Sequence, residues 1–179
     1  MADPNELRVQ WADLELQWAA ATERAEALPA GAVDERVAGE WSFAETLRHL
    51  VYASDAWLRL PVLGEPSPFW PAGVPHAELP DGEAAACGID RGAAPTWAAT
   101  LEARADRQVL VRGYLADVTA ADLDRRCAPG APPPGLGADS DTLTVAECLA
   151  TILEEEAGHL SYATRDLRVL EGRHGEAGV

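Results

Sequence analysis

The chain has 179 residues, a formal net charge of −16 and an isoelectric point near 4.5. Such acidity argues against binding nucleic acid through its phosphates and against a polybasic membrane anchor. All 14 basic residues are arginine, so no lysine side chain is available for Schiff-base chemistry.

A hydrophobic content of 47% rules out a wholly disordered chain, and the length suits one domain with a substantial core. Cys87, Cys127 and Cys148 are sparse, odd in number and without a CxxC pair, which fits a reducing compartment better than a disulfide framework. The stretch MADPNELRVQW lacks the basic and apolar regions of a signal peptide. No apolar run reaches the roughly 18 residues of a membrane span. The expectation is a soluble cytoplasmic protein.

Four long helical segments are predicted, with almost no strand-like alternation. The first, residues 6–28, carries Leu7, Trp11, Leu14, Trp18, Ala21 and Ala25 at helical spacing and ends at Pro29. The second, residues 42–60, opens with the capping box Ser42-Phe-Ala-Glu45 and stops before Pro61. Its stripe is Phe43, Leu47, Leu50, Trp57 and Leu58. His49 lies at the border of that stripe, with Glu45 one turn before it, while Arg48, Asp55 and Arg59 are expected on a solvated face. Trp41, just before the cap, reads as a hydrophobic staple.

Residues 61–94 form a long connection with six prolines. Connections of this length usually have a functional reason, and this one is expected to lid a cavity, with Phe69 or Trp70 facing the site and Trp70 lining a ligand pocket. His76, within it, reads as an ordinary exposed histidine. Cys87 has no cationic neighbour in sequence to activate its thiol. The third helix, residues 95–118, has Trp97, Leu101, Ala105, Leu110 or Val111, and Leu115 as its stripe. A short helix is expected to start at Thr119, followed by a Pro/Gly-rich stretch, 128–138.

The fourth helix opens with a second capping box, Thr144-Val-Ala-Glu147, and is expected to close near Gly172. Val145, Leu149, Ile152, Leu160, Ala163, Leu167 and Leu170 make one inward arc, and Glu155, Glu156 and His159 fall on it. Charges buried there must be paired, protonated or bound to a cation. Glu155 and His159, four residues apart, share a helical face. With His49 aimed at the groove between the second and fourth helices, they form either a metal or acid–base site or a hydrogen-bonded network that specifies packing. Glu156 is either a proton acceptor beside that site or the partner of an arginine. Asp166 with Arg165 reads as a structural ion pair extending the polar edge begun by Tyr162. His174 lies in an expected tail, 172–179, beyond a single domain of residues 1–171.

The stretches GEWSFAETLRHLVYASDAWL and CLATILEEEAGHLSYATRDLRVLE, with PSPFWP between them, resemble the signature helices and loop of DinB-like, YfiT-like proteins, and in particular an actinobacterial branch. The resemblance implies an all-α, DinB-like four-helix bundle with long connecting loops, often a homodimer. Members commonly hold a divalent metal with three histidines, one from the second helix and two, four residues apart, from the last. The matching positions are His49, Glu155 and His159, so a glutamate replaces the middle histidine. Two His and one Glu still make a competent site for zinc or nickel with an open position.

The function this implies is a metal-dependent enzyme on a small-molecule substrate. Thiol S-transfer with mycothiol as co-substrate leads, the thiol being deprotonated on the metal and Glu156 accepting a proton. A hydrolase or isomerase is also implied by some relatives. The alternatives are a metal-free small-molecule-binding or biosynthetic protein using the same His/Glu pocket, and a non-catalytic dimeric stress or regulatory protein.

Overall fold

The computed structural model describes residues 3–127 and 143–176. Each long helix begins where a side chain satisfies its free N–H groups. Asp3 accepts from the Asn5 N–H (2.8 Å) at the start of α1, Pro4–Glu26. Ser42 and Glu45 exchange reciprocal bonds at the start of α2, Phe43–Ser54, and Thr96 accepts from the Ala99 N–H before α4, Trp97–Asp117. Thr144 and Glu147 reciprocate in the same way before α6, Val145–Glu176. Both capping boxes read from the sequence are therefore present.

Two short α-helices complete the α-helical set among the described residues. They are α3, Asp81–Ala86, inside the long connection, and α5, Ala120–Leu123, capped by Thr119 and Asp122. α2 continues through a π-helical turn, Asp55–Arg59, in which the Leu60 N–H reaches back to the Asp55 carbonyl. α6 runs four residues past Gly172, where the sequence suggested a tail, and His174 meets Glu35 at 2.9 Å. Residues 177–179, and the Pro/Gly-rich stretch 128–138, lie outside the described residues.

α1 packs against α4 and α6, and α2 packs against the same two helices. The bundle is thus a four-membered ring with α1/α2 and α4/α6 as its diagonals. All six apolar positions read on α1 and all seven on α6 are buried. The stripe on α4 is different. Ala105 is exposed, and Arg104 takes the interior position, where it pairs across the diagonal with Glu156 of α6 through two bonds of 2.7 and 2.5 Å. Its guanidinium lies over the Trp18 ring, 5.7 Å from the centroid.

α2 has no solvated face. Ten of its twelve residues are buried, because the connection 61–94 wraps its outer side. Arg48 donates from Nε to the Ala72 carbonyl (2.6 Å) and from Nη2 to that of Ala93 (3.0 Å). Asp55, expected in solvent, is fully buried. It accepts from Arg107 of α4 (2.7 Å), from Arg59 (3.1 Å) and from the Trp70 N–H (3.1 Å). Gly73 sits so close to α2 that a Cβ there would meet the Trp70 carbonyl at 3.2 Å and Tyr52 at 3.4 Å. The long connection is a fixed layer of the fold, and its inner surface borders the site.

Beyond α5, the Cys127 N–H donates to the Leu143 carbonyl (2.8 Å) and the Val145 N–H to that of Arg125 (2.9 Å). The thiols of Cys127 and Cys148 are within hydrogen-bonding distance, 3.4 Å, and form no disulfide.

Candidate metal centre

His49 projects from the middle of α2 and is completely buried. Its Nδ1 lies 2.8 Å from the Val74 carbonyl. A carbonyl only accepts, so Nδ1 carries the proton and donates it. In the neutral imidazole, Nε2 is then an unprotonated lone pair. That lone pair points at Glu155 Oε2, 3.2 Å away. One turn along α6, His159 Nε2 lies 3.2 Å from the same oxygen.

Two acceptors facing each other across 3.2 Å repel unless a proton or a cation stands between them. A His whose second ring nitrogen donates to a backbone carbonyl is the usual form of a metal-binding histidine. The three ligand atoms lie within 4.8 Å of one another. Donors at 2.0–2.1 Å from a tetrahedral ion are separated by about 3.3–3.4 Å, close to both observed Nε2–Oε2 distances. The donor set fits a divalent ion.

Burial works against ionisation of Glu155, but the imidazoles of His159, His49 and His76 outweigh it whenever they carry protons toward the carboxylate. They hold the carboxyl far below the usual range. The site therefore offers a standing anion to whatever cation occupies it.

Aromatic rings wall the cluster. Trp41 lies 4.6 Å from His49 and stacks on His159 at 5.6 Å and 23°. Tyr52 lies 6.0 Å from His49, its hydroxyl pKa pushed up to about 12 by burial, and Phe69 stacks behind it at 5.5 Å. His76 stands edge-on to His49 (4.7 Å), with its Nε2 3.8 Å from Glu155 Oε1. Burial, with the neighbouring His49, lowers the His76 pKa. On the solvent side a depression lined by Thr151, Glu154, Gly158 and Tyr162 leads to Glu155 and His159.

The structure thus brings together His49, Glu155 and His159 as the sequence suggested. Glu156, the expected proton acceptor, has both oxygens occupied by Arg104 and is an arginine partner instead. Trp70 makes none of the ring contacts at the cluster; it is tied to Asp55 through its backbone. From the long connection it is Phe69, Val74 and His76 that reach toward the site. Trp41 is a wall of the site, and the residue one turn into α2 opposite the staple position is Thr46, which is polar. Asp166 pairs with Arg165 at 2.7 Å, as expected. Burial, with Glu83 nearby, raises the Cys87 pKa, so that thiol is not activated. The placement of His76 and Trp41 carried no signal in one sequence, since neither lies on a periodic face with the ligands.

No helix among the described residues is long and apolar enough to cross a membrane. No match is found among curated proteins or among solved structures. A family model does match, over residues 13–163, a span that contains every residue of the cluster, the whole of α2 and the part of α6 that carries Glu155 and His159. The chain belongs to the DinB superfamily, an all-α family whose members often bind metal.

Proposed function

We propose that the protein is a metal-dependent enzyme acting on a small molecule, with transfer of a low-molecular-weight thiol, of the mycothiol type, as the leading reaction. The observation that carries the metal reading is the Val74–His49–Glu155 arrangement, which fixes the His49 lone pair against a carboxylate oxygen shared with His159. His49, Glu155 and His159 would hold the ion. A divalent ion bound by three protein donors supplies a Lewis-acidic position that lowers the pKa of a thiol or water.

The chain's own residues do the rest. Val74 sets the His49 tautomer, and α6 holds Glu155 and His159 in register one turn apart. Trp41 shields the rear of both histidines and limits water there. The depression beside Gly158 leaves the opposite side open to a ligand. Support for the thiol as co-substrate comes from the family resemblance and from this open approach. The absence of lysine removes imine chemistry on a lysine side chain as a competitor.

A metal-free reading has one observation in its favour. The 3.2 Å distances are also hydrogen-bonding distances, so protonated histidines around Glu155 make a complete polar pocket. The test is thiol consumption with an electrophilic acceptor, measured on protein stripped with a chelator and then reloaded with zinc or nickel. Activity restored by metal supports the enzyme reading. Activity indifferent to stripping supports the metal-free pocket, and none with any thiol under either condition overturns the transferase.

A further inference from the structure

We propose that His76 is a positioning residue for the metal centre, holding Glu155 by its outer oxygen so that the glutamate binds an ion through Oε2 alone. The inference rests on the metal reading above.

The two oxygens of Glu155 face different surroundings. Oε2 lies between His49 and His159, 3.2 Å from each Nε2. Oε1 is turned toward the long connection, and the side chain it meets there is His76, at 3.8 Å. His76 does not belong to the tight cluster of three ligand atoms. It stands outside the cluster, beside the oxygen the cluster does not use.

The backbone explains why it stands there. Val74, Pro75 and His76 are consecutive, and Val74 accepts the Nδ1 proton of His49. Pro75 between them is buried and has a fixed φ, which limits how far His76 can depart from Val74. The Arg48 contacts to the Ala72 and Ala93 carbonyls and the close approach of Gly73 to Tyr52 press this stretch onto α2. One three-residue strap therefore orients two ligands from outside, His49 through a carbonyl and Glu155 through an imidazole.

With the backbone held, the His76 side chain, 41% exposed, has room to turn about its own torsions and close the remaining gap. A neutral imidazole with its proton on Nε2 donates to Oε1 once the distance falls to about 3 Å. With Oε1 so engaged, Glu155 occupies one coordination position, not two, and leaves room for an incoming ligand. Outer partners of this kind typically change metal affinity 10- to 100-fold when removed.

The experiment is zinc titration against a chromogenic chelator, with cobalt(II) absorption spectra and zinc X-ray absorption, on wild type, His76→Ala and His76→Gln. We expect His76→Ala to bind zinc about 10- to 100-fold more weakly and its cobalt bands to weaken and shift as Glu155 becomes bidentate. The amide of His76→Gln can donate to Oε1 and should recover most of the affinity and the wild-type spectrum. Two coordinated imidazoles are expected in wild type and in both variants. Wild-type affinity and spectrum in His76→Ala overturn the inference, and so does a third imidazole in wild type that His76→Ala removes, since His76 would then be a ligand itself. If the wild type binds zinc and His76→Ala is unchanged, only this inference fails. If the wild type binds no divalent ion, the metal reading fails with it.

Discussion

Glu155 and Glu156 are consecutive on one helix and meet opposite fates. Glu156 turns into the bundle diagonal, where Arg104 neutralises it through two short bonds and Trp18 covers the guanidinium. Its charge is permanently satisfied by a group that cannot lose its proton. Glu155, one position earlier, turns toward the rim, where its partners are histidines whose lone pairs or protons depend on what is bound. A helical step of 100° separates a structural charge from a chemical one, and the nature of the partner decides which is which.

Substitutions can break that comparison at either residue. Glu156→Ala leaves Arg104 buried and unpaired and should cost about 3–5 kcal/mol, read by urea denaturation, while zinc affinity of the folded fraction stays at the wild-type value. Loss of zinc binding by folded Glu156→Ala would mean that the two glutamates act as one unit. Saturating zinc should stabilise the wild type by about 2.7 kcal/mol at 100 times Kd, a rise in melting temperature of roughly 5–10 °C for a domain of this size.

Glu155→Ala sharpens the contrast. It should abolish the zinc-dependent rise, while Glu155→His should retain it by restoring three neutral nitrogen donors. If the site is a metal-free network, Glu155→Ala should instead cost about 1–3 kcal/mol through the stranded histidines, with zinc irrelevant to both variants. The smallest effect is expected at Gly158, where a Cβ would meet nothing within 4 Å. Gly158→Ala should stabilise α6 by about 0.5–1 kcal/mol, measured by thermal or urea unfolding. A loss of stability there would show that the glycine serves the packing of the helix.

The fold was legible where helices have two faces. α1 and α6 pack in the ring with one side outward, and every apolar position read on them is buried. α2 misled because it has no outward side. The connection 61–94 covers it, so Asp55, which looked solvated, is buried against Arg107 and Arg59. Periodicity carries no information about a layer contributed by an irregular loop. Arg104 was missed for a related reason, since a buried cation is recognisable only with its partner, and Glu156 lies 52 residues away.

At the site, His49, Glu155 and His159 were legible because a polar residue on an apolar arc stands out. Trp41, Val74 and His76 were not, because tertiary folding alone brings a pre-cap residue and a loop to the ligands. Of the two aromatic residues expected to face the site, Phe69 makes the approach by stacking on Tyr52, Trp70 does not, and Val74 joins through a carbonyl that no side-chain pattern reveals.

The central claim is that the lone pair of His49, fixed by Val74, faces Glu155 because a divalent ion belongs between them. Elemental analysis of protein purified without a histidine tag, after dialysis against zinc and then against metal-free buffer, tests it most directly. The account predicts close to one ion per chain in the wild type and none in Glu155→Ala. Wild-type protein that retains no zinc, nickel or other divalent ion after exposure to micromolar concentrations would contradict it.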